Sequence, residues 1–189
     1  MPVEPVKVRP DRLPFFVYGT LRPGGRHHAR TLRGRTALDE PATITGALLY
    51  EGPGYPYAVA GPEDARIHGA LITPRAADYE DVRCALDLLE GYTPGGRDNL
   101  YERVETLAAR SDGRTVRAWV YFAAEPLAAR LRASGTPVEG GDWPAGGPSR
   151  TPANLDDSSR SEDPPGTDDL SRTEGPSRTE DPSRPAEQV

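Results

Sequence analysis

The sequence predicts an α+β fold with a mostly antiparallel or mixed, partly closed sheet. Short apolar or alternating runs, bounded by Gly, Pro, Asn and Asp, recur between Phe15 and Phe122 and read as strands. A single stretch, ending at Gly91, holds a sustained helical period. The composition changes sharply near Trp143, so one domain over 15–144 is followed by a segment of different character over 145–189, with 1–14 as an N-terminal extension.

The elements follow in order. Phe15 to Tyr18 is an apolar run that stops at Gly19 and a Pro23-Gly24-Gly25 turn, as a buried strand would. Arg26 to Leu32 forms a short helix. Ala42 to Tyr50 is a strand, Gly52 to Pro56 a turn, and Tyr57 to Val59 a short strand. In Arg66 to Thr73, Ile67, Gly69 and Leu71 alternate with Arg66, His68 and Ala70, the period of a strand.

The helix should begin with Thr73 as N-cap and Pro74 at the first helical position. Tyr79, Val82, Leu86 and Leu89 then recur at three- and four-residue steps on one face, and Gly91 suits the left-handed residue that stops a helix. Leu100 to Ala108 and Thr115 to Phe122 form a hairpin across Ser111-Asp112-Gly113, with Val116, Ala118, Val120 and Phe122 on one side. Pro126 to Arg132 is a second short helix.

Charge excludes some functions. Residues 145–189 hold five Arg and ten Asp or Glu, a net −5 out of −6 for the whole chain, so 1–144 is nearly neutral at −1. That portion has no basic stripe and lacks the electrostatic footprint of a nucleic-acid binder. The terminal segment has little to bury and repeats a polar six-residue unit from Ser171 and again from Ser177, so it is expected to be disordered. Cys84 is alone, Met1 to Pro14 has no apolar h-region, and no run approaches the length of a membrane span, so the expectation is a cytoplasmic protein with no membrane partner. His27 and His28 are adjacent and no further ligand cluster accompanies them, so no metal is expected. Cys84 reads as a core residue.

Two places carry candidate chemistry. The loop after the first strand, Tyr18-Gly19-Thr20-Leu21, can present successive backbone N–H groups to an anion or a developing oxyanion. Val82, Leu86 and Glu90 form an i, i+4, i+8 ladder, which puts Glu90 on the apolar face at the last turn. Helix-end carbonyls and burial both oppose its negative charge and raise its pKa toward the range of a general base. The same spacing also allows Glu90 to turn to the surface and pair with an Arg. Asp87 reads as solvated. Tyr101 and Arg103 share one face of their strand, either lining a polar pocket or as a packed Tyr beside an exposed Arg.

In this order, Val17-Tyr18-Gly19-Thr20-Leu21-Arg22-Pro23-Gly24, Ile67-His68-Gly69-Ala70-Leu71, Leu86-Asp87-Leu88-Leu89-Glu90-Gly91-Tyr92, Tyr101-Glu102-Arg103, Ala118-Trp119-Val120-Tyr121, Ser134-Gly135 and Gly141-Asp142-Trp143 resemble the gamma-glutamylcyclotransferase-like superfamily, especially its AIG2-like branch and the gamma-glutamylamine cyclotransferases. The resemblance runs from Phe15 to about Trp143. It implies a small mixed β-barrel crossed by one main helix, a substrate-binding loop at Tyr18 to Leu21, and Glu90 as general acid/base without a cofactor. The implied reaction releases 5-oxoproline from a γ-glutamyl amine or peptide. The loop Thr93 to Asn99 is long for this pattern and would reshape one rim of the pocket. A small-molecule-binding or interaction module on the same fold, or an amide hydrolase using Glu90 to activate water, remain as alternatives.

Overall fold

The computed structural model describes residues 12–144. The acidic terminal repeats and most of the N-terminal extension lie outside the described residues. Five strands, β1 (Phe15–Val17), β2 (Thr36–Thr45), β5 (Arg66–Pro74), β6 (Tyr101–Arg110) and β7 (Thr115–Ala123), close into a barrel in the order β1-β5-β2-β6-β7. Four pairings are antiparallel; the β1–β7 closure, at Phe15 and Trp119, is parallel. A separate hairpin joins β3 (Ala47–Glu51) to β4 (Pro56–Ala60). The helices are α1 (His28–Thr31), α2 (Tyr79–Leu89) and α3 (Glu125–Ser134).

Strand alternation sorts side chains between two cores. Phe16, Ile44, Ile67, Leu71, Ala118 and Val120 point into the barrel, where Trp143 also sits, only 2% exposed. Phe15, Val17, Ala70 and Ile72 point outward and are covered by Tyr79, Val82 and Leu86 of α2. An outward row that would otherwise face water thus supplies the seat for the helix.

Several expectations need correction. The strand expected over Ala42 to Tyr50 is two strands: the chain breaks at Gly46, β2 reaches back to Thr36, and β3 leaves the barrel to pair with β4. The polar stretch Asp39-Glu40-Pro41 is extended because β5 lies alongside it in continuous register, a partner no local pattern reveals. The helix does not start at Thr73-Pro74. Those residues finish β5, opposite Leu38 and Thr36, and α2 starts at Tyr79 with Asp78 as N-cap. Pro at the end of a strand forfeits little of the ladder, so pairing prevails over the capping signal.

Leu13 and Pro14 already belong to the fold. Leu13 is buried, its carbonyl accepts from Tyr79 Oη at 2.9 Å, and Pro14's carbonyl accepts from the Trp119 N–H at 2.8 Å. Cys84 is exposed rather than in the core. No helix among the described residues is long and apolar enough to cross a membrane.

Candidate active site

The loop after β1 starts the site. Its first turn is closed by the Arg22 N–H on the Gly19 carbonyl, and its second by the His27 N–H on the Thr20 carbonyl. These bonds use the carbonyls and leave the N–H groups free: among the described residues, those of Gly19, Thr20 and Leu21 donate to no protein acceptor. Arg22 ties the loop down from outside, donating to Asp142 Oδ1 and, at 2.8 Å, to the Trp143 carbonyl. Gly19 is required by a close approach, since a Cβ there would lie 2.8 Å from Pro56 Cδ.

The end of α2 supplies the acid. Glu90 is its C-cap and Gly91 follows with φ 63°. The Tyr92 N–H bonds to the Asp87 carbonyl at 2.8 Å and the Gly91 N–H to that of Leu88 at 3.3 Å. This is the paired pattern by which a left-handed glycine ends a helix. It fixes the direction in which Glu90 leaves the last turn.

Asp87, expected to be solvated, is instead buried and fastens that turn to the barrel. It accepts two hydrogen bonds from Arg103, each 2.8 Å, and one from Tyr121 Oη at 2.7 Å. Arg103 in turn lies 5.1 Å from the centroids of both Tyr92 and Trp119. An ion pair this enclosed matters mainly because breaking one partner strands the other. Here it holds the residue three positions before Glu90.

Tyr18, Gly19, Thr20, Leu21, Glu90 and Tyr101 line one cavity of about 190 Å³. Arg103 does not line it: its guanidinium is spent on Asp87 and the two aromatic faces, on the β6 side that faces α2. Tyr101, on the same side of β6, does reach the cavity, and its hydroxyl has no protein partner among the described residues.

Electrostatics single out Glu90. Its carboxyl forms no ion pair or hydrogen bond among the described residues, so the surface pairing with an Arg does not occur. Burial raises its pKa from 4.5 to about 7. Burial, followed by the nearby Glu90 charge, also raises Tyr18, whose hydroxyl donates to the Tyr121 carbonyl at 2.5 Å. Tyr101 is raised as well, by burial first and then by Tyr18 and Glu90. Both phenols therefore stay protonated, as donors, beside the Glu90 carboxyl.

Sequence reading missed His27, Tyr55 and Tyr121, which also line the cavity. His27 Nδ1 lies 3.3 Å from Thr20 Oγ1. Burial, then Arg26 and Arg30, lower its pKa. The tight Pro-Gly-Gly turn was a signal that His27 returns toward Thr20. Tyr121 was legible as the residue left on the opposite side from Val120. Nothing local marked Tyr55. No group of three or more His, Cys, Asp or Glu that could hold a metal ion occurs among the described residues.

The family model described as gamma-glutamyl cyclotransferase, AIG2-like, matches residues 15–145. The chain belongs to this family. It is 32% identical over 118 residues to a Gamma-L-glutamyl-butirosin B gamma-glutamyl cyclotransferase of Niallia circulans, covering 62% of this chain and 71% of that one. Among solved structures, a solution structure of an Arabidopsis thaliana protein is similar with a TM-score of 0.50 and 24% identity, over 74% of each chain. A longer Bacillus subtilis protein is similar over 69% of this chain, with a TM-score of 0.49 and 23% identity. The chain spans only 39% of that protein's length.

Proposed function

We propose that this protein releases 5-oxoproline from a γ-glutamyl compound, an amine or peptide conjugate, with Glu90 as general base and then general acid. The observation that carries the reading is one cavity lined both by Glu90, whose carboxyl pKa burial raises to about 7, and by Gly19, Thr20 and Leu21, whose backbone N–H groups donate to no protein acceptor among the described residues.

In this reading the Glu90 carboxylate takes a proton from the substrate α-ammonium group. The freed amine attacks the γ-carbonyl carbon of the same residue and closes a five-membered ring. The carbonyl oxygen gains the negative charge and is met by the N–H groups of Gly19, Thr20 and Leu21. Collapse re-forms the carbonyl and breaks the bond to the leaving amine as Glu90 returns its proton to that nitrogen. The ring nitrogen, which carries two hydrogens after the attack, gives up its second proton to the regenerated carboxylate, and the amine departs with it as an ammonium ion. The products are 5-oxoproline and a free amine, and no covalent enzyme intermediate is formed.

The division of labour suits a small site. Attack within one molecule already has its proximity, the largest entropic component of many catalysed reactions. The protein must supply a matched proton acceptor, worth on the order of 10²–10⁴-fold. It must also supply preorganised donors, each worth roughly 3 kcal/mol. In this reading Tyr101 Oη, which has no protein partner among the described residues, holds a substrate oxygen.

The test is mass spectrometry of the products formed from a panel of γ-glutamyl amines and γ-glutamyl dipeptides, with Glu90→Gln in parallel. 5-Oxoproline with the native protein and none with the variant is the expected result. Glutamate in its place would identify hydrolysis. A Glu90→Gln rate near that of the native protein would remove Glu90 from the chemistry.

A further inference from the structure

The rim of the cavity bears on the amine, given the reaction proposed above. The cavity volume of about 190 Å³ is small against the roughly 300–1,000 Å³ of pockets that enclose drug-sized ligands. The γ-glutamyl group occupies it and leaves the amine at its rim. The leaving nitrogen must end within reach of Glu90 to receive its proton, so its substituent has to pass over the residues flanking Glu90.

Those residues are apolar. Leu89 precedes Glu90 in the chain, and Leu100 is held beside it by a 3.3 Å hydrogen bond from its N–H to the Gly91 carbonyl. Both line the cavity while remaining 42% and 43% exposed. Tyr55 stands in the same lining, its ring 5.3 Å from Tyr57, which stacks at 5.8 Å on Tyr101. Two leucines at one mouth beside an aromatic wall form apolar surface that gains by being covered.

Charge at the mouth points the same way. Among the described residues, Glu90 is the only carboxylate in the lining. Arg26 donates to the Gly54 carbonyl at 3.1 Å, beside Tyr55. After burial, the charges of Arg26 and Arg30 also lower the pKa of His27, which lines the cavity. Among the described residues none of these arginines is in an ion pair. A cationic leaving group would meet their field, and its charge would pull the Glu90 pKa down, weakening it as a base.

We propose that Leu89, Leu100 and Tyr55 form a leaving-group subsite for uncharged, apolar amines, selective against amines that carry a second, cationic nitrogen. The test compares two amides of equal length: γ-glutamyl-n-pentylamine and mono-γ-glutamyl-1,4-diaminobutane, which differ by a terminal methyl against an ammonium. The expected kcat/KM ratio favours the pentyl compound by about tenfold or more, the discrimination one apolar contact gives. Leu100→Asp should bring the ratio to one or below. If that variant does not fold, Leu89→Lys should instead widen it.

Binding of both amides to Glu90→Gln, by calorimetry, separates this proposal from the reaction it rests on. Preferential binding of the pentyl compound without 5-oxoproline from the native protein would overturn the reaction and keep the subsite. 5-Oxoproline released equally from both, or no binding of either, would overturn the subsite.

Discussion

A half-buried carboxyl whose pKa is raised by its surroundings should cost the fold stability, and Glu90→Gln measures that cost. The folded protein raises the Glu90 pKa from 4.5 to about 7 by burial. Between those values the folded state binds a proton that the unfolded chain has released. Stability therefore falls as pH rises through this window, by about 1.4 kcal/mol per pH unit for one proton. Above the folded pKa the full cost is in place, about 3 kcal/mol; below the unfolded value it vanishes. Gln has the same shape and no charge, so the variant escapes the penalty. Relative to native protein, Glu90→Gln should gain about 3 kcal/mol between pH 4 and pH 8, whatever constant offset the new amide adds. For a domain of this size that is roughly 10 °C in Tm. The assay is thermal unfolding of both proteins across this pH range. Parallel Tm curves would refute the reasoning, because they would mean that the Glu90 charge is as well solvated in the folded state as in the unfolded. In the proposed reaction Glu90 must be ionised to act as base, so kcat/KM should climb through a midpoint near pH 7.

Other predictions follow from the surrounding contacts. Gly19→Ala pushes a methyl against Pro56, so the loop should shift and turnover fall at least tenfold, with about 1–3 kcal/mol lost in denaturant unfolding. Asp87→Asn should destabilise by about 3 kcal/mol in urea titration, since it leaves the Arg103 charge buried without its counter-ion, and pairing it with Arg103→Met should recover much of that loss. Tyr101→Phe should raise KM with little change in Tm, because its hydroxyl has no protein partner to lose among the described residues. An unchanged KM would place the substrate elsewhere.

What the sequence determined was local. The strand and helix periods, the Gly91 stop and the Val82-Leu86-Glu90 ladder follow from bond geometry and alternation over a few residues, and they align Glu90 with the face that carries Val82 and Leu86. Phe15 to Tyr18 was legible as a buried strand for the same reason. Tertiary structure decided whatever depends on a distant partner. β5 runs on through Thr73-Pro74 because β2 pairs with it, although the local signal there is a helix cap. Asp87 is buried because Arg103 and Tyr121 come to it across the sheet from 16 and 34 residues away. That engagement takes Arg103 out of the cavity, while Tyr101 two residues earlier stays in it. Whether Glu90 faced a cavity or the solvent was likewise open from spacing alone. Its raised pKa comes from burial, and burial is a property of the assembled barrel, loop and helix end.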